Sequence, residues 1–364
     1  MKPGAKKWAS IAALLLLPLL LQAFGTHWVR IADTCLLYVM LALGMNIVVG
    51  QAGLLDLGYV AFYGVGAYMF ALLTSPHLTD NFTWIAAMFP AGLHMPWWVT
   101  FPLGAALAAI LGILIGAPTL KLRGDYLAIV TLGFGEIVRI LINNLGHPIN
   151  ITDGAKGLGR IDSINLFGLD LAKPLFFSNY QIASVTLYYY LFLGLTLFTV
   201  SICSRVQHSR IGRAWMAIRD DEVAAEAMGI NIRDMKLLAF GIGASFGGMA
   251  GAMFGAFQGF VSPEAFSLQE SVMIVAIVVF GGIGHIKGVI LGAVLLTSFP
   301  EMLRYVVVPL QAMTDGRLDA GMLRPLLIAL AMIFTMLLRP SGLWPAPERL
   351  RLFRTCPSSM SKGA

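Results

Sequence analysis

Glu136 and Arg139 stand three residues apart inside an apolar run, so on a helix they share a face and can neutralise one another; Glu301 and Arg304 repeat the spacing. Pairing of this kind reads as structural rather than as a proton relay or a ligand site. Asp33 and Asp56 lie in equally apolar surroundings, which makes them candidates for a polar pore or for contact with a companion chain. Glycines crowd around Asp56: Gly50-Gln51-Ala52-Gly53, then Gly58, then Gly64 and Gly66. A stretch like this suggests a broken or re-entrant helix whose freed backbone groups line a cavity. A plain turn is the other reading. Gln51, Gly53, Asp56 and Gly58 are the candidate lining residues.

The sequence carries little of what an enzyme needs. It has no G-x-x-x-x-G-K-[ST] phosphate loop, so no evident means of hydrolysing ATP itself, and no G-x-S-x-G nucleophile elbow. Gly157-Leu158-Gly159 is too short for a dinucleotide fingerprint. The six histidines lack metal-binding spacing, and Cys35, Cys203 and Cys356 are too few and too far apart for a zinc site or a disulfide framework. No catalytic residue and no metal site are assigned.

Those residues sit in elements that must lie in a membrane. Hydrophobic residues make up 58% of the 364 and charged ones 12%, against about 45–50% and about 25% in soluble domains. The expected fold is an all-α polytopic membrane protein of about ten transmembrane helices, some short or discontinuous. The apolar runs fall near 8–25, 29–49, 58–73, 97–116, 126–143, 181–203, 237–260, 268–283, 288–307 and 322–338. Lys2, Lys6 and Lys7 precede the first run; without a clear A-x-A cleavage pattern, a retained helix is favoured over a signal peptide. The net charge of +6 does not form one stripe, so no nucleic-acid partner is expected. Counted by alternate sides, Lys and Arg favour placing both termini, the connection near Lys121 and Arg123, the 204–236 segment, Lys287 and the tail inside.

The 204–236 segment holds eleven of the forty-four charged residues, six basic and five acidic. Ile211, Ala214, Trp215, Ile218 and, after a charged turn, Ala225 follow a helical stripe, and Gly229 before Ile230 and Asn231 supplies a stop. A merely solvated interfacial helix is the plain alternative. Glycines at Gly243, Gly247, Gly251, Gly255 and Gly259, and at Gly284, Gly288 and Gly292, recur every fourth residue and are assigned to close helix packing.

Four stretches together carry a resemblance: Gly50-Gln51-x-Gly53-x4-Gly58, Leu122-Arg123-Gly124-Asp125-Tyr126, Arg213-Ala214 through Gly229, and Gly281-Gly282-x-Gly284-x3-Gly288. The sequence resembles the permeases of branched-chain amino acid ABC importers from about residue 30 to 345. The run Arg123 to Phe134, Thr152-Asp153-Gly154-x2-Gly157-Leu158 and Ser262-Pro263-Glu264-x-Phe266 make it more similar to the LivM type than to its LivH-type partner.

The resemblance implies an inner-membrane permease subunit for leucine, isoleucine, valine or a related hydrophobic amino acid. It would pair with a LivH-type permease, two cytoplasmic ATPases and a periplasmic substrate-binding protein, with ATP and magnesium used by the ATPases and no cofactor in this chain. It further implies a coupling helix carrying Arg219, Asp220, Asp221, Glu222, Ala224, Ala225, Glu226, Ala227, Met228 and Gly229, and a translocation path to which Gln51, Gly53, Asp56 and Gly58 would belong. The importer pattern E-A-A-x3-G is not met in full: Val223 stands where its Glu would be, between Glu222 and Glu226. Three parts are expected: an N-terminal segment and first helix over 1–28, a permease domain over 29–345, and a basic cytoplasmic tail over 346–364. A urea or short-amide permease is an alternative within the superfamily, and an ion-coupled secondary transporter one outside it.

Overall fold

The computed structural model describes residues 3–313 apart from 91, 121, 123, 148–149, 167 and 178–179, together with 326, 329–330, 333–334, 337–338 and 342–344. The expected span at 322–338 and the tail fall largely outside the described residues, as do Lys121 and Arg123.

The chain begins with α1 (Pro3–Phe24) and α2 (Thr26–Met45), and α2 runs on into a π-helical segment, Asn46–Gln51. After an irregular stretch comes α3 (Val60–Thr74), then the short α4 (His77–Asn81) and α5 (Thr83–Met88), then the long α6 (Trp97–Thr119) and α7 (Asp125–Asn144). The connection that follows holds two antiparallel hairpins, Asn165–Leu166 with Leu169–Asp170 and Leu175–Phe177 with Tyr180–Ile182. A hydrogen bond from Ser163, with the Ala172 N–H and Lys173 adding to it, holds the Asp170 carboxyl below its usual range. The chain returns through α8 (Ser184–Gln207), α9 (Arg210–Asp220) and α10 (Glu222–Ala227), crosses again in α11 (Ile232–Gln258), and continues in α12 (Leu268–Gly281) and α13 (Ile286–Met313).

Among the described residues, five helical stretches are long and apolar enough to cross a membrane: 26–51, 97–119, 184–207, 232–258 and 286–303. Shorter apolar helices at 14–24, 60–74 and 268–281 accompany them. The helix break expected within 50–68 is present, since Ala52 to Tyr59 leave the helical conformation between the π-helix and α3.

Helix α11 is the centre of the bundle, packed against α6, α3 and α2. Backbones touch there because side chains are missing. A Cβ at Gly66 would overlap the Gly248 carbonyl, one at Gly248 would lie 2.6 Å from the Gly104 carbonyl, and one at Gly243 3.0 Å from that of Gly44. Gly247 and Gly255 face Phe62 and Phe70, and Gly251 faces the Tyr63 carbonyl, while Gly288 and Gly292 pack on α12. Gly259 has φ +66 with nothing near its Cβ position, so it caps α11 rather than packing, and Gly284 at φ +84 forms the turn between α12 and α13 while also approaching the Gly50 backbone. At the end of α11 away from α10, Leu158 and Val261 exchange backbone hydrogen bonds of 2.8 and 2.9 Å, clipping the long connection to the bundle.

Candidate functional site

The charged segment folds as two helices where one was expected. Ser209 caps α9 by accepting from the Gly212 N–H. Asp221 then turns the chain out of α9 and caps α10, its Oδ1 accepting from Val223 N at 2.9 Å and Ala224 N at 3.1 Å. A side-chain acceptor aimed at two orphan N–H groups is what starts a new helix, so the second acidic residue of the pair breaks the run. Gly229 follows at φ +81, and Asn231 caps α11.

Two contacts fix this hairpin to the bundle. Trp215 is fully buried, and its Nε1 donates to the Met235 carbonyl at 2.7 Å. Lys236, with a side chain only 5% exposed, donates from Nζ to Glu222 Oε1 at 2.6 Å. A buried ammonium needs such a partner, so one Glu222 oxygen is committed to α11 while the side chain stays 35% exposed.

The coupling residues therefore divide by direction. Asp220, Asp221, Ala224, Glu226, Ala227, Met228 and Gly229 are exposed, and Met228 is 83% so. Val223 is exposed beside them. Ala225 is buried beneath α10, which removes it from any docking face. Arg219 is turned inward, its guanidinium donating to the Gly50 carbonyl. A cleft of about 750 Å³ opens beside α10, lined in part by Glu222, Glu226, Arg233 and Lys236.

The candidate path residues separate too. Gln51, Asp56 and Gly58 are buried within this chain, while Gly53 is exposed. Asp56 Oδ1 accepts from the Gly58 N–H at 2.8 Å, and a Cβ at Gly58 would strike the Thr131 carbonyl of α7. Gly58 is thus a close-packing residue against α7, and Asp56 ties the turn before α3. Both Gln51 side-chain polar atoms, Asp56 Oδ2 and both Asp33 oxygens have no hydrogen-bond partner among the described residues. Of the in-span pairs, Glu136 and Arg139 do bond to each other. Glu301 meets His27 at 3.4 Å, and the Arg304 side chain lies outside the described residues.

Helices long and apolar enough to cross a membrane, packed through glycines and carrying a capped, charged hairpin, fit a multi-pass membrane protein. The family model described as branched-chain amino acid transport system / permease component matches residues 28–338, and the chain belongs to that family. It is 40% identical over 329 residues to the LivM permease protein of a high-affinity branched-chain amino acid transport system in Escherichia coli K12. That match covers 87% of this chain and 70% of the relative, as does the match to the Salmonella typhimurium LivM protein, also 40% identical. The S. typhimurium LivH permease protein is 24% identical over 265 residues, 71% of this chain and 79% of the relative. No solved structure matches. The relatives are named as transport permease proteins, and this chain is a permease component rather than an enzyme.

Proposed function

We propose that the chain is the membrane-spanning subunit of a binding-protein-dependent ABC importer of a bacterial inner membrane, with both termini cytoplasmic. It pairs with a LivH-type permease. Two cytoplasmic ATPases, using ATP and magnesium, bind at the hairpin end, and a periplasmic binding protein delivers the substrate to the opposite side. Branched-chain amino acids are the substrate class, by likeness to the named relatives.

The observation that carries the reading is the outer face of α10. Ala224, Ala227 and Met228 leave a small, apolar, solvent-facing surface on a helix whose other side is fastened to the bundle by Glu222 and Lys236. A solvated helix has no need of that surface, whereas a helix seated in a partner's groove needs small residues outward and a rigid attachment inward. Glu226 is the carboxylate left to meet the ATPase, since Glu222 is engaged. The positions to block are therefore Ala224 and Ala227, not the buried Ala225.

The test is reconstitution of the four kinds of subunit in proteoliposomes with a panel of labelled amino acids. Ala224→Trp with Ala227→Trp should abolish uptake and release the ATPases on purification while the binding protein still captures substrate. Normal uptake by that variant refutes the docking face. Uptake by this chain alone on an ion gradient refutes the importer reading as a whole.

A further inference from the structure

Three stretches far apart in sequence meet at one side chain. Arg219 closes α9, and its Nη1 donates to the carbonyl of Gly50, 169 residues away. Gly50 lies at the end of the π-helix, where Ala52 N and Leu54 N still reach back to the Ile47 and Val48 carbonyls at 3.1 and 3.0 Å but the Gly50 carbonyl is met by Arg219. The carbonyl end of a helix is also where a cation is favoured. The guanidinium thus serves as a cap supplied by a different element.

The surroundings are shaped to the arginine. A Cβ at Gly53, itself at φ +73, would lie 2.8 Å from Arg219 Cγ; one at Gly284 would lie 2.9 Å from Nη1 and 3.0 Å from the Gly50 carbonyl. The Gly284 N–H donates to Asn46 Oδ1 at 2.9 Å, and Gln207 Nε2 reaches the Gly284 carbonyl at 3.5 Å. The stem of Arg219 therefore lies against Gly53, and its head sits between the end of the broken helix and the turn joining α12 to α13. Single-turn π segments are a recurrent feature of functional sites, where the backbone ladder is already interrupted.

We infer that Arg219 is a positioning residue that transmits displacement of the α9–α10 hairpin directly to the broken helix at 46–53 and the 282–284 turn. This rests on the reading of α10 as the ATPase-docking helix and extends it inward. Arg219 is one residue from the Asp220-Asp221 corner, and α9 is clamped by Trp215. Movement of α10 therefore reaches Gly50 through a single side chain whose stem is held beside Gly53 and whose head is bonded to the Gly50 carbonyl. Leu55, 37% exposed within the irregular stretch that follows the π-helix, reports on that segment.

The experiment uses the complete reconstituted transporter carrying Arg219→Met or Arg219→Lys, with substrate uptake and ATP hydrolysis measured on the same vesicles. Leu55→Cys, in a background whose native cysteines are replaced, supplies a labelling readout with and without nucleotide. Expected for Arg219→Met is retained co-purification of the ATPases, retained hydrolysis, a fall of about tenfold in substrate moved per ATP, and loss of the nucleotide-dependent change in Leu55→Cys labelling. Arg219→Lys, which keeps the charge as a compact ammonium in place of the planar fork, should recover part of both. If Arg219→Met fails to accumulate, the lysine variant carries the same comparison. Unchanged uptake per ATP, or an unchanged labelling response, overturns the inference. Loss of ATPase co-purification with Arg219→Met overturns it in another way, by making Arg219 a docking residue. Failure of the unmodified chain to hold the ATPases would instead strike the docking reading itself.

Discussion

Removing Glu222 tests whether the hairpin is bolted to the bundle or merely rests on it. In Glu222→Ala the Lys236 ammonium, 5% exposed, loses the carboxylate 2.6 Å away. Breaking a fully buried pair costs about 3–5 kcal/mol, mostly as the penalty of an uncompensated buried charge, and an exposed pair is worth about 0–1 kcal/mol. Glu222 is 35% exposed, so water can replace part of what its carboxylate supplied, and the expected loss lies between those limits. About 2 kcal/mol is the working figure, roughly a thirtyfold change in population. The assay is a double-mutant cycle read by thermal unfolding of the purified protein in one detergent: Glu222→Ala, Lys236→Met and the pair. Lys236→Met keeps the stem and removes the charge, so the double variant should be more stable than Glu222→Ala alone, giving a coupling energy of about 1–2 kcal/mol. Equal stability of Glu222→Ala and the parent, or strictly additive losses, would show that the pair does not anchor α10.

Further measurements follow from the same geometry. Gly66→Ala places a methyl in the Gly248 carbonyl and should lose about 2 kcal/mol or more in thermal stability, whereas Gly133→Ala, with open space around its Cβ, should gain about 0.5–1 kcal/mol from helix propensity. Equal effects of the two would contradict the backbone contact of α3 with α11. Trp215→Phe removes the donor to the Met235 carbonyl and should cost about 1–3 kcal/mol, detectable as a lower midpoint. Glu136→Ala leaves Arg139 unmatched and should lower stability by about 1 kcal/mol, reversed in the double alanine variant; no recovery there would mean that each charge has another role.

Much of the scaffold was legible in the sequence because hydropathy acts locally. The apolar run at 97–116 became α6 at Trp97–Thr119, that at 126–143 became α7, and the stripe through Trp215, Ile218 and Ala225 proved to be the buried side of the hairpin. The family was legible as well, through several short motifs in order. What stayed hidden depends on contacts between distant residues or on which of two adjacent groups wins. Asp220 and Asp221 look equivalent in sequence, yet only Asp221 caps a helix, so one expected helix became two. Ala224 and Ala225 were assigned alike, and the helical rotation of about 100° per residue sends one outward and the other under α10. Gln51 and Asp56 were legible as polar groups in an apolar stretch, but their burial within this chain could not be read from their neighbours in sequence. Arg219 was assigned to the partner face because nothing local points it 169 positions back to Gly50.

The glycine seam of α11 has a mechanical consequence. Over its 27 residues, about 40 Å at 1.5 Å per residue, the helix runs from the Lys236 bolt to the clip at Val261. At Gly243, Gly248 and Gly251 a Cβ would come within about 3 Å of neighbouring backbone atoms, and main chain has no rotamers with which to absorb a shift. The rod therefore has little room to shift along this seam without its main chain striking a neighbour. The chain is less confined at the two ends of the rod, where Gly229 and Gly259 turn at positive φ with nothing near their Cβ positions.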